Sequence, residues 1–165
     1  TLFVLPYTSG LITYPSTIDN IKNTIDNITQ LLAKERECNT INKLMALEGQ
    51  VRYQYYSCYN NIISVEGFEY NNRNRRPPKD PINALISFGN TILYRLVARE
   101  IYKSKLDIKI GYLHTTNKRL ESLNLDISEI FRPILIDRTI FSLINRYSLK
   151  YSQKVKKFSF HYLVL

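Results

Sequence analysis

Apolar residues recur at every third or fourth position along much of the chain, and this spacing predicts helices rather than strands. The first predicted helix follows Pro15, with Ser16 or Thr17 as its N-cap. The second begins after Asn39 or Thr40. The apolar stripes are Ile18, Ile21, Ile25, Ile28, Leu31 and Leu32 in the first helix, and Leu44, Leu47, Val51, Tyr55 and Tyr59 in the second.

A long third helix is predicted from Asp80, a good N-cap that precedes Pro81 at the first helical position. We expect it to end near Lys105. Gly89 in its middle costs roughly 1 kcal/mol relative to Ala, so we expect a neighbouring helix to approach closely there. Its apolar stripe is Ile82, Leu85, Ile86, Ile92, Leu93, Leu96 and Val97.

The last predicted helix begins at Asp126, and Pro133 requires a loose turn or a kink in it. Its apolar residues continue to Ile144. The pattern therefore predicts one all-α domain over residues 15–146. Residues 1–14 are expected to be a remnant of a preceding domain or a linker, and residues 147–165 a divergent carboxy-terminal segment.

Composition narrows the classes of protein. The 165 residues carry a net charge of +9, which favours a polyanionic partner, most often nucleic acid and less often an anionic membrane surface. No run of 18 apolar residues predicts a membrane span, and the opening segment lacks the basic start of a signal peptide. Cys38 and Cys58 are too few for a zinc ribbon and indicate free thiols in a reducing cytoplasm. Because the chain starts at Thr1, we expect a piece of a longer protein.

Helical periodicity disappears between Gly67 and Asp80, where the chain is polar, basic and rich in proline. Four cations precede the predicted third helix, whose amino terminus has free N–H groups that favour anions. The segment predicts a phosphate contact, and a solvated basic loop is the alternative. The four cations are Arg73, Arg75, Arg76 and Lys79.

Four sequence elements, taken in order, resemble one known family. They are a Glu-Gly pair at 48–49, the run Arg-Arg-Pro-Pro-Lys-Asp-Pro-Ile-Asn-Ala-Leu-Ile-Ser-Phe-Gly at 75–89, Gly-Tyr-Leu-His at 111–114, and Leu-Asp-Ile-Ser-Glu-Ile-Phe-Arg-Pro at 125–133. These elements are similar to the signature of CRISPR-associated protein one, the integrase of CRISPR spacer acquisition. The resemblance implies the family's all-helical catalytic domain, without the β-rich domain that precedes it in family members.

The resemblance also implies a metal site formed by Glu48, His114 and Asp126, with Glu129 as a supporting acid. Carboxylate oxygens suit Mg²⁺ or Mn²⁺, and the single imidazole favours Mn²⁺. Such an ion can polarise a phosphate and help to deprotonate an attacking hydroxyl. The expected DNA contacts are Arg73, Arg75, Arg76, Lys79, Lys118 and Arg119.

Each of the three metal-site residues also has an ordinary structural interpretation. Glu48 lies beside the apolar stripe and could be a solvated helical residue, while His114 could be a structural histidine. Asp126 and Glu129 form a capping-box pattern, so Asp126 could cap its helix. Arg132 could pair internally with Glu129.

The function implied by the resemblance is a cytoplasmic, prokaryotic DNA integrase or endonuclease. It would join the 3′-hydroxyl ends of a protospacer to a CRISPR repeat by metal-dependent transesterification, or cleave branched DNA. The implied partners are DNA, CRISPR-associated protein two and, for full-length members, a second copy; no membrane partner is expected. The alternative is a truncated, non-catalytic DNA-binding or structural module of the same fold.

Overall fold

A computed structural model describes residues 15–74, 77–114 and 121–147. Within these ranges the chain is all-α and contains no strand, which confirms the predicted fold class. The described residues form two compact units, an amino-terminal unit of residues 15–64 and a carboxy-terminal unit of residues 65–147. No helix in the described ranges has the length and apolar character needed to cross a membrane.

The amino-terminal unit contains α1 (Pro15–Ala33), a short 3₁₀ turn (Glu35–Glu37), α2 (Ile41–Ser57) and α3 (Tyr59–Ile62). Helix α1 packs against α2 and α3. The hydroxyl of Thr40 accepts from the backbone N–H of Lys43 at 3.3 Å, which confirms the predicted start of α2. The core contains Ile28, Leu47, Val51, Tyr55, Tyr56, Tyr59 and Ile62.

The apolar stripe predicted for α1 is only partly buried. Ile28 is buried, but Ile18 and Ile25 are 39% and 41% exposed, while Thr24 is buried and donates to the carbonyl of Asn20. The apolar stripe of α1 is wider than the surface that α2 and α3 cover. Residues at the edge of the stripe therefore stay exposed to solvent.

The carboxy-terminal unit contains α4 (Pro81–Tyr102), α5 (Leu123–Phe131), a π-helical segment (Arg132–Asp137) and α6 (Arg138–Tyr147). Helix α4 packs against α5 and the π-helical segment. A Cβ atom at Gly89 would lie 2.6 Å from Cγ2 of Ile136, so the predicted close approach is confirmed. Pro133 lies in the π-helical segment, which supplies the predicted loosening of the helix.

Three sequence predictions about this unit are wrong in detail. Helix α4 ends at Tyr102 rather than Lys105, and α5 begins at Leu123 rather than Asp126. Ile92 and Leu96, assigned to the buried face of α4, are more than 40% exposed. The buried face instead includes two asparagines, Asn83 and Asn90, which an apolar pattern cannot identify.

Candidate functional site

The loop that carries His114 is attached to the start of α5 by the residue before that helix. The backbone N–H groups of Ser122 and Leu123 both donate to the carbonyl of Ile108 at 3.1 Å. The Ser122 hydroxyl donates to the carbonyl of Lys109 at 2.8 Å and accepts from the N–H of Gly111 at 2.9 Å. These bonds hold residues 108–111 against the first turn of α5.

Residues 112–114, the rest of the loop, are hydrogen-bonded to Asp126 in the first turns of α5. Its Oδ2 accepts from the backbone N–H groups of Tyr112 at 2.6 Å and Leu113 at 3.0 Å. Its Oδ1 accepts from the backbone N–H of His114 at 3.1 Å and lies 2.5 Å from that residue's Nδ1. Three successive N–H groups that converge on one carboxylate form an anion-binding nest within the protein.

This carboxylate is charged at neutral pH. Burial alone raises the pKa of Asp126, but hydrogen bonds from the His114 ring and from the N–H groups of Leu113, His114 and Tyr112 outweigh it, and the net pKa lies below the ordinary 3.8. The side chain of Asp126 is fully buried, whereas that of His114 is 28% exposed. The structure therefore joins a buried anion to a ring that reaches solvent.

Gly111 is required by close packing. A Cβ atom there would lie 2.6 Å from Oδ2 of Asp126, 2.8 Å from the hydroxyl oxygen of Ser122 and 2.9 Å from the carbonyl oxygen of His114. The loop can approach the Asp126 carboxylate this closely only because residue 111 has no side chain. The geometry around Asp126 thus accounts for the glycine and the histidine of the Gly-Tyr-Leu-His element.

The capping interpretation of Asp126 is wrong. Helix α5 begins three residues earlier, and the described side-chain hydrogen bonds of Asp126 go to residues 112–114. Ser122 occupies the cap position but makes no capping hydrogen bond with its hydroxyl. That hydroxyl instead supports the loop, a role that sequence reasoning missed.

Glu48 lies in α2 of the amino-terminal unit, next to the buried Leu47. Its side chain is 20% exposed, and its carboxylate forms an ion pair with Arg52 one turn later. The alternative interpretation of Glu48 as a solvated helical residue is therefore too simple, because its side chain is half-buried and ion-paired. In the described part of the carboxy-terminal unit, His114 and Asp126 are not joined by a third His, Cys, Asp or Glu side chain arranged to hold a metal ion.

Glu129, the predicted supporting acid, lies one helical turn after Asp126. Its carboxylate oxygens lie 2.7 and 2.8 Å from Nη1 of Arg132, which confirms the expected internal pairing of that arginine. The Arg132 guanidinium lies 5.3 Å from the ring centroid of Tyr94 and donates to the hydroxyl of that tyrosine. Glu129 is thus part of a largely buried network that includes a compensating cation.

The basic loop before α4 has an internal organisation of its own. The guanidinium of Arg73 donates to the carbonyl of Asn74 at 2.5 Å, to Oδ1 of Asn83 at 2.8 Å and to the Ser87 hydroxyl at 3.1 Å. The side chain of Lys79 is exposed, and its backbone N–H donates to Oδ1 of Asn74 at 2.6 Å. Four other predicted DNA contacts lie outside the described residues: Arg75, Arg76, Lys118 and Arg119.

Asn83, in the first turn of α4, is hydrogen-bonded to three residues of that loop. It is fully buried, and its Oδ1 accepts from Arg73 and from the backbone N–H of Asn74 at 3.1 Å. Its Nδ2 donates to the carbonyl of Asn72 at 2.8 Å and to Oδ2 of Asp80 at 2.7 Å. Asp80 also caps α4 through the N–H of Asn83 at 2.7 Å, as predicted. The sequence identified the cap but not the amide beside it.

Comparison with known proteins identifies the class as CRISPR-associated. The family model described as "CRISPR associated protein Cas1" matches residues 10–163, and the chain belongs to this family. A relative from Thermodesulfovibrio yellowstonii, named CRISPR-associated endonuclease Cas1 2, is 43% identical over 147 residues, covering 89% of this chain and 44% of the relative. A CRISPR-associated endonuclease Cas1 from Thermotoga maritima is 47% identical over 120 residues, covering 73% and 38%.

Solved structures agree with the family assignment. A Cas1 protein from Thermotoga maritima superposes with a TM-score of 0.72 at 42% identity, over 82% of this chain and 44% of that one. A chain of a Cas6-RT-Cas1–Cas2 complex superposes with a TM-score of 0.75 at 28% identity, over 87% of this chain and 16% of that one. The resemblance seen in the sequence is confirmed. The chain spans less than half the length of these relatives.

Proposed function

We propose that this chain is the helical catalytic part of a metal-dependent DNA endonuclease and integrase of CRISPR spacer acquisition. It would join the 3′-hydroxyl ends of a protospacer to a CRISPR repeat by transesterification, and would cleave branched DNA. The observation that carries the proposal is the contact between His114 and Asp126. His114 lies on a loop and is partly exposed, whereas Asp126 is buried in α5. Relatives named as endonucleases support the proposal.

The proposed centre combines two carboxylates with one imidazole, and this donor set suits Mn²⁺ or Mg²⁺. A histidine that ligates a metal usually donates its other ring N–H to a carboxylate, and Nδ1 of His114 has such a partner in Asp126. Glu48, His114 and Asp126 would hold Mn²⁺ or Mg²⁺, with Glu129 as the supporting acid. When bound, the ion would supply charge stabilisation at the scissile phosphate and a lowered pKa for the attacking hydroxyl.

The chain's own residues would orient the reacting groups and neutralise charge. The Asp126 carboxylate accepts from three N–H groups of the loop and contacts the ring of His114, which restricts the position of the imidazole. The Arg132 guanidinium holds the Glu129 carboxylate in one place. Such preorganisation accounts for most of the rate enhancement that proteins give to phosphoryl transfer.

DNA would bind through the cations before α4 and after His114. The net charge of +9 supports a polyanionic partner, and Lys79 is exposed close to the amino terminus of α4. Arg73 would act differently, since its guanidinium is used by Asn74, Asn83 and Ser87. We expect Lys79→Gln to lower the salt dependence of DNA binding, and Arg73→Gln to lower the stability of the loop.

The proposed partners extend beyond DNA. A structural relative comes from a complex that contains Cas2, so we propose CRISPR-associated protein two and, in a full-length protein, a second copy as partners. The proposed location is the prokaryotic cytoplasm, where such a complex would meet the CRISPR array.

The test is cleavage of branched DNA by the 165-residue chain with and without Mn²⁺. Glu48→Ala and His114→Ala should each lower the rate by about 10²–10³-fold, the scale of losing a charge-stabilising group. Glu100→Ala is the matched control, because Glu100 is an exposed helical acid paired with Arg99 and Lys103. Equal rates in wild type and His114→Ala, with folding retained, would overturn the proposal.

A non-catalytic DNA-binding module of the same fold is the second candidate, and the observation that favours DNA binding is the net charge of +9. It predicts salt-sensitive DNA binding without Mn²⁺-dependent cleavage. A thermal shift on adding Mn²⁺ that disappears in His114→Ala would favour the enzyme, because a ligand that binds only the folded state raises its stability.

A further inference from the structure

The side chain of Asn74 closes the basic loop before α4. Its Oδ1 accepts from the backbone N–H of Lys79, five residues later, at 2.6 Å. Its Nδ2 donates to the carbonyl of Asn72 at 3.1 Å and to Oδ2 of Asp80 at 3.3 Å. One side-chain amide thus binds the chain on both sides of residues 75–78.

The backbone of Asn74 is fixed as well as its side chain. Its N–H donates to Oδ1 of Asn83 at 3.1 Å, and its carbonyl accepts from the guanidinium of Arg73 at 2.5 Å. Asn83 is fully buried in α4, and Asp80 caps that helix. The bond from Asn74 to Lys79 therefore fixes the end of the loop relative to the first turn of α4.

Lys79 is a cation of this loop that can reach an anion. Its side chain is exposed and forms no ion pair among the described residues, while its backbone N–H is held by Asn74. The guanidinium of Arg73, in contrast, is used within the loop. A cation whose backbone is already fixed loses less conformational entropy on binding a ligand than a cation on a free loop.

We infer that Asn74 is a positioning residue for DNA binding, because it holds Lys79 in the free protein where that side chain can contact a backbone phosphate. The inference rests on the proposed function only for DNA as the partner. Asn74 carries no charge and acts through Lys79, which distinguishes it from the predicted DNA contacts. Its role requires neither a metal ion nor DNA cleavage.

The test is binding of branched DNA by the 165-residue chain in EDTA, over a range of salt concentrations. Asn74→Ala should weaken binding about tenfold, because the loop must then be ordered on binding, and should keep the salt slope, since the charges are unchanged. Lys79→Gln should lower the salt slope by about one. Asn74→Ala should have a smaller effect in the Lys79→Gln chain, because the residue through which it acts is missing.

Asn72→Ala is the matched control, since Asn72 is an exposed asparagine of the same loop whose side chain makes no hydrogen bond among the described residues. It should bind DNA as tightly as the wild type. Wild-type affinity in a folded Asn74→Ala chain would overturn the inference. So would additive losses in the double variant, or a salt slope that fell as far in Asn74→Ala as in Lys79→Gln.

Should Asn74→Ala fail to fold, hydrogen exchange of the wild-type chain decides the question. The N–H of Lys79 should be protected in the free chain, because Asn74 already accepts it. An N–H that exchanges freely until DNA is added would contradict the inference. A chain that binds DNA as expected but lacks Mn²⁺-dependent cleavage would reject the proposed catalysis and retain the role of Asn74, whereas a chain that binds no DNA would reject both.

Discussion

Two loops of the carboxy-terminal unit are each organised by one buried polar side chain near the start of the following helix. Asn83, the third residue of α4, binds the loop of residues 72–74, and Asp126, the fourth residue of α5, binds residues 112–114. Each of these side chains makes four hydrogen bonds to its surroundings. The two sites share an architecture and differ in one functional group.

That difference decides what each site can do. The amide of Asn83 donates and accepts, so it binds an N–H, a guanidinium, a carbonyl and a carboxylate in one closed network. The carboxylate of Asp126 only accepts, so it gathers donors, among them the ring of His114. A neutral central residue therefore fixes a loop, whereas an anionic one also contacts the ring of a histidine that reaches solvent.

Removing the anion should have the largest effect on stability. Asp126→Ala leaves three backbone N–H groups and a ring nitrogen without their acceptor, and we expect a loss of about 3–4 kcal/mol in the free energy of unfolding. Urea denaturation measures it. Asp107→Ala is the control, because Asp107 is exposed and accepts one N–H, from Lys109. A loss below about 1 kcal/mol for Asp126→Ala would contradict the central role of that residue.

Exchanging the functional group at the other site should have the next largest effect. Asn83→Asp replaces an NH₂ group by an oxygen opposite the carbonyl of Asn72 and the carboxylate of Asp80. We expect a loss of about 2–3 kcal/mol from the unpaired acceptors and the repulsion. The same change at Asn27, which is exposed on α1, should alter stability by less than about 0.5 kcal/mol. Equal stabilities of the two variants in urea would show that the amide donors do not matter.

Steric closeness at the anionic site gives a third prediction. Gly111→Ala brings a Cβ atom within 3 Å of Asp126, Ser122 and the His114 backbone, so we expect a loss of about 1–3 kcal/mol. Gly49→Ala is the matched control, since Gly49 is helical and, among the described residues, no atom outside its chain neighbours and its own helix backbone lies within 4 Å of the added Cβ. That control should gain about 0.5–1 kcal/mol. Thermal melts of both variants test the contrast, and a stabilised Gly111→Ala chain would refute the packing argument.

These comparisons also explain what the sequence could and could not predict. The Asp80–Pro81 start of α4, the close approach at Gly89 and the loosening at Pro133 depend on local rules, and the structure confirms all three. The role of Asn83 depends on partners up to 11 residues away, and that of Asp126 on partners up to 14 residues away. No periodicity encodes such pairs.

In the candidate site, too, the sequence identified some residues but not the contacts that set their roles. Resemblance to the family selected His114 and Asp126, and the structure places them in contact. The resemblance gave no reason to treat Arg73 differently from Lys79, because both are cations of one basic loop. Only the packing of Arg73 against Asn83 and Ser87 separates a loop-stabilising cation from an exposed one.

The smallest predicted effect is a difference between the two loops in how pH changes the protection of their backbone N–H groups from hydrogen exchange. The pKa of Asp126 is lowered in the folded chain, so its contribution to stability is present above the ordinary value of 3.8 and is lost as the pH falls through the lower, folded value. The N–H groups of Tyr112 and Leu113 should therefore lose protection from hydrogen exchange in acid, below about pH 4.

The N–H of Asn74 is the internal control, because its acceptor is the neutral amide of Asn83. Its protection should fall only as far as global unfolding requires. Asp126→Asn should remove the difference between the loops, and protection that fell equally at Asn74 and Leu113 in the wild type would mean that both loops open only with the whole unit.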